Sequence, residues 1–178
     1  MARYSSSMNK FLVFLGGVIA LVGVILPLSD KTMAWWWIEI DPPILDSTTH
    51  YLLPFGTISN NDNNSVTEIE SSVITLISVL VIGGALLLII GGVMDNKNLA
   101  AIGLLMVIGG LIYFLQALGQ LDEVEDLFTN KLPNNVLFGS ETRTYFFVDF
   151  EYTWQLGTGY FISWIGAILS IVGLVKKR

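Results

Sequence analysis

Four apolar runs, at residues 8–28, 71–94, 99–121 and 154–175, restrict this chain more than any other feature. A helix of ~20 residues crosses a hydrocarbon layer about 30 Å thick. Each run reaches that length. Lys10, at the very start of the first run, is the one ionisable Asp, Glu, Lys, Arg or His within them. The expected fold is an α-helical membrane domain of four spans. The first run has the basic start of a signal peptide. Its apolar stretch is long for one and no A-x-A site follows, so it reads as an uncleaved span.

The remaining chain falls into two long loops, 29–70 and 122–153, and a short turn at 95–98. The net charge of −6 divides unevenly between them. Arg3, Lys10, Lys97, Lys176, Lys177 and Arg178 share one side with the single acid Asp95, giving +5. Lys31, Lys131 and Arg143 face fourteen acids on the other side, giving −11. Basic residues near span ends are retained in the cytoplasm. The predicted topology is multi-pass in the plasma (cytoplasmic) membrane, with both termini and the 95–98 turn inside and both long loops outside. Asn98 is the expected N-cap of the third span.

Small residues recur at seven-residue intervals in every span: Gly16 and Gly23; Gly84 and Gly91; Gly103, Gly110 and Ala117; Gly159, Gly166 and Gly173. A strict heptad keeps one stripe on one face of a left-handed supercoil, which predicts a left-handed bundle. Lipid-immersed helices gain little from burying apolar surface, and small residues let their backbones approach. The stripes either pack the four helices internally, the preferred reading, or dock a second copy or a foreign helix. The doublets Gly16–Gly17, Gly83–Gly84, Gly91–Gly92 and Gly109–Gly110 offer a second smooth face. Tyr113, Gln116 and Gln120 are read as interhelical or interfacial hydrogen-bonding groups, or as a small polar pocket. The absence of charge inside the runs argues against proton relays and ion paths.

The loops carry strand patterns. Thr144, Phe146, Val148, Phe150 and Tyr152 alternate with Arg143, Tyr145, Phe147, Asp149 and Glu151. Period two predicts one strand with a buried even face and an exposed odd face, on which Tyr145 and Phe147 are candidate contact residues. Residues 33–40 form a second candidate, and 51–58 and 136–138 weaker ones. Together they predict a small extracellular antiparallel sheet built from both loops. The third span is expected to continue outward as an acidic helix to about Phe128. Trp35, Trp36 and Trp37 are read as interface anchors and sheet packing, or as a contact hot spot. Alternation would put Trp35 and Trp37 on one face and Trp36 on the other. Asn63-Asn64-Ser65 fits a glycosylation sequon, with Asn63 as acceptor.

The chain has no Cys and one His, His50, which removes thiol chemistry and His-rich metal sites. Neither the acids at 122–126 nor the 61–70 stretch has the spacing of a calcium loop. No metal, cofactor or nucleic-acid partner is expected, and no enzyme activity. The layout resembles the claudin and PMP22-like tetraspan superfamily, with its four spans, inward termini, long first external loop and aromatic external strands. Members carry a W-x-x-W-C-C pattern in that loop. Here Trp35-Trp36-Trp37 stands there, with no Cys after it. The resemblance implies a structural or adhesion-type protein that contacts membrane lipid, another membrane or extracellular protein, or itself. An accessory subunit of a larger membrane enzyme or transport complex is the alternative, and a small pore or carrier the third reading.

Overall fold

The structure is a computed structural model and describes residues 8–43, 45–60, 66–68, 72–128 and 132–176. Its long helices are α1 (Lys10–Ser29), α2 (Ser72–Met94), α3 (Lys97–Leu118) and α5 (Thr158–Val175), with the short α4 (Asp122–Leu127) after α3. The four long ones have the length and composition to cross a membrane. Their outward faces are apolar as well. Phe11, Ile25, Val79, Ile90, Leu105, Ile112, Ile165 and Ile168 are all exposed. Helices that are apolar all round belong in a core or in lipid, so this is a multi-pass membrane protein with four candidate spans.

Packing follows the glycines. α1 lies against α5 and α2, α2 against α3, and α3 against α5, closing a ring. A Cβ built on Gly84 would stand 2.6 Å from the Gly103 carbonyl, and one on Gly103 would stand 2.6 Å from the Gly84 carbonyl. Gly91 meets Ala100, and Gly110 meets Val81. In the other seam Gly16 and Gly23 face Gly166, Ser170, Gly159 and Ser163, while Gly173 faces Val13. The doublets divide the work. Gly17 rests on Ala85 and Leu88 of α2, and Gly92 rests on Phe14 of α1. These heptad glycines pack the four helices against one another. Gly109 alone of the doublet glycines has nothing within 4 Å of a built Cβ.

Helix ends depart from expectation in three places. The N-cap of α3 is Asn96 rather than Asn98; its side chain accepts from the Leu99 N–H at 3.1 Å. Asp95, at φ 56°, makes the turn and pairs with Lys10 at 2.8 Å. α3 does not run on to Phe128. It stops at Leu118, and the turn at Gly119 and Gln120 redirects the chain, so that Leu121, Val124 and Phe128 are buried. The last span begins at Thr158 instead of 154, because residues up to Leu156 belong to a strand.

Both loops feed one sheet. The first supplies β1 (Trp36–Asp41), β2 (Thr48–Leu52), β3 (Thr57–Asn60) and β4 (Val66–Glu68), and the second supplies β5 (Phe138–Tyr145) and β6 (Val148–Leu156). The order is β4-β3-β2-β1-β6-β5, antiparallel throughout. The sheet caps the bundle end opposite the Asp95 turn. The single strand expected over 143–152 is instead a hairpin. Phe146 and Phe147 form its two-residue turn, so Tyr145 pairs with Val148. A two-residue turn shifts the parity. The inner face uses even positions on β6 and odd positions on β5. Asn63 lies outside the described residues.

Candidate interaction site

Trp35 precedes the sheet and does not share a face with Trp37. Its ring is 1% exposed and plugs the end of the bundle, edge-on to Phe114 at 5.1 Å and to Tyr160 at 6.1 Å. Its Nε1 donates to the Gly23 carbonyl at 2.9 Å. Within α1 that carbonyl would normally accept from residue 27, but Pro27 has no N–H. Trp35 therefore supplies the donor that proline removed. Trp36, 0% exposed, starts the inner face of the sheet. Its Nε1 donates to the Val136 carbonyl and that of Trp154 to Asn135, each at 2.8 Å. Phe128 wedges against Trp154 at 4.9 Å, Tyr152 at 6.2 Å and Trp36 at 6.3 Å. Arg143 closes this cluster. Its guanidinium lies 5.6 Å from the Phe128 and Tyr152 rings, bonds the Phe128 carbonyl and pairs with Glu141 at 3.1 Å. The contact hot spot proposed for Trp35 and Trp36 is thus overturned: both rings serve internal packing.

Trp37 points the other way, as alternation along β1 requires. It pairs with Tyr51 across β1 and β2, and the next outward rung pairs Glu39 with Thr49. Lys31, in a 3₁₀ turn after α1, lies 6.0 Å from the Tyr51 ring. Tyr113, Gln116 and Gln120 are exposed on α3 and its end, so among the described residues they line no internal pocket.

The second surface is the tip of the β5–β6 hairpin. β1 pairs with β6 only as far as Glu151. Beyond that rung the hairpin is a two-stranded finger. Tyr145 is half-buried on its inner face, edge-on to Phe150 at 5.7 Å. On the outer face the Thr144 hydroxyl donates to Asp149 at 2.5 Å. Phe146 and Phe147 crown it, 97% and 102% exposed, at φ 49° and 71°. Such turns need positive φ at both positions and favour Asn-Gly. A residue with a Cβ loses about 1 kcal/mol or more there. The sequence offered no Gly, Asn or Asp to mark this turn, which is why Phe146 was expected on the buried face.

No protein-family model and no curated protein matches the chain.

Proposed function

We propose that this multi-pass membrane protein is a structural contact protein, and that the Phe146–Phe147 finger is its docking element. The observation that carries the reading is the full exposure of two phenylalanines at a turn that disfavours them. Strained backbone positions cluster at active sites, ligand clamps and switch regions. Burying each ring in a partner is worth about 1.5–3 kcal/mol. Acids flank the tip at Asp149, Glu151 and Glu141, so the partner is a membrane or extracellular protein with an apolar cleft and a basic rim. The finger stands outside and both termini lie in the cytoplasm, a topology supported by the +5 and −11 split and the inward retention of basic residues. The claudin and PMP22-like layout fits such a role. No catalysis is assigned: the chain has neither Cys nor a second His.

The absence of native Cys makes single-cysteine variants specific. Thr144→Cys should react with an impermeant thiol reagent on intact cells and Asn98→Cys should not; the reverse would invert the topology. A thiol-to-amine cross-linker at Thr144→Cys should give one discrete product, lost when Phe146 and Phe147 become Ser. A product that survives that change would remove the finger from the contact.

A further inference from the structure

We infer that the membrane end of the sheet's outer face is a binding site for a lipid headgroup that joins a phosphate to an ammonium. Two cavities carry the site, one lined by Lys31 and the other by its chain neighbour Thr32. The first, about 410 Å³, is lined by Pro27, Leu28 and Leu53 and by the polar Ser29, Asp30, Lys31 and Ser59. The second, about 210 Å³, is walled by Trp37, Tyr51, Glu39, Thr49 and Thr32. The first lies where α1 leaves its apolar run, and Leu28 is still exposed there. Its apolar wall suits the root of an acyl chain, and Lys31 suits a phosphate. The second sets two aromatic residues side by side on neighbouring strands, with a carboxylate on the next rung. Ring faces and a carboxylate attract a cation.

Charge decides which headgroup. Asp30, Glu39 and Lys31 together carry one net negative charge. An anionic headgroup adds repulsion. A zwitterion places its phosphate at Lys31 and its ammonium at Glu39. Asp30 lines the same cavity as Lys31, and its carboxylate is tied to the next turn: it accepts from the Thr32 N–H at 3.0 Å and from the Thr32 hydroxyl at 2.7 Å. Lys31 rests 6.0 Å from the Tyr51 ring. A phosphate draws it toward the first cavity and leaves that ring to the ammonium.

The test uses the full chain reconstituted in vesicles of equal phosphatidylcholine and phosphatidylglycerol, with retained lipids weighed by native mass spectrometry. The expected result is at least fivefold retention of phosphatidylcholine over phosphatidylglycerol. Glu39→Gln should abolish the preference, and Lys31→Ala should reduce retention of phosphatidylcholine severalfold. Glu39→Gln is isosteric and half-exposed, so an unchanged melting temperature separates lost binding from lost fold. Equal retention of the two lipids, or an undiminished preference in Glu39→Gln, overturns the proposal. Displacement of the retained lipid by an equal concentration of free phosphocholine would make the ligand a soluble compound and overturn the lipid assignment.

Discussion

Replacing Trp35 by Phe isolates the hydrogen bond that ties the sheet's entry to α1 one turn before Pro27. Trp35 Nε1 donates to the Gly23 carbonyl at 2.9 Å in a buried site, and Pro27 leaves that carbonyl without its helical donor. The substitution has two costs. The smaller ring leaves a void beside Phe114 and Tyr160, below the ~3–5 kcal/mol of a full aromatic truncation. The orphaned carbonyl adds about 1 kcal/mol, the scale of hydrogen bonds in membrane bundles. Only the second is repaired by Pro27→Ala, which restores an N–H at position 27. The Pro27 ring also touches the backbone of Gly159, since a Cβ built there meets it at 2.7 Å. Pro27→Ala alone therefore loosens the α1–α5 seam slightly. A double-mutant cycle cancels both packing terms and leaves the hydrogen bond. Unfolding free energies from denaturant titration in mild detergent, for wild type, Trp35→Phe, Pro27→Ala and the double variant, should show Pro27→Ala less harmful, by about 1 kcal/mol, when Trp35 is absent. A coupling within ~0.3 kcal/mol of zero would refute the exchange of donors between Pro27 and Trp35.

The glycine seam predicts a contrast within two spans. Gly84→Ala sets its methyl 2.6 Å from the Gly103 carbonyl, where backbone must give way, and should cost ~1–3 kcal/mol; Gly109→Ala, into open space, should melt within ~0.5 kcal/mol of wild type. His50 sets a pH dependence. Burial holds its pKa below the ordinary 6.5, so the unfolded chain takes up the proton first. Stability should be level above pH 6.5 and fall as the pH drops through that value, and His50→Gln should flatten the fall in a series of thermal melts.

Helix content was open to reading because lipid demands length and apolarity together, and both are local properties of a sequence. Ends were harder. Asn96 and Asn98 are equivalent as capping residues, and the backbone turn at Asp95 decides between them. Trp154 and Leu156 extend the apolar character of the span that follows, with only Gln155 between them, yet Trp154 to Leu156 pair with β1. The alternation over 143–152 was visible, but a two-residue turn of Phe-Phe has no compositional marker, so the parity of half the strand came out reversed. Trp37 could be placed outward once β1 was a strand. Glu39, two residues on, follows by the same alternation, whereas Tyr51 depends on a pairing register set by residues far apart in the chain and Lys31 on the turn after α1. The heptad glycines disclosed which face of each helix was smooth, while the identity of the facing helix came only with the ring order.

The junction between β6 and α5 gives the molecule a mechanical character. One residue, Gly157, joins them. Its N–H donates to the Trp35 carbonyl at 2.9 Å, and the backbone of Ala34 fills the space where its side chain would be. There is no slack at this joint. Tension applied at Phe146 and Phe147 runs down nine residues of β6, is shared in shear by the rungs to β1 and β5, and reaches α5 through that one residue. The same rungs pass part of the load through β1 and Trp35 to the end of α1. A pull on the finger is therefore a pull on two adjacent spans together, along the seam where their glycines leave the least room to slide.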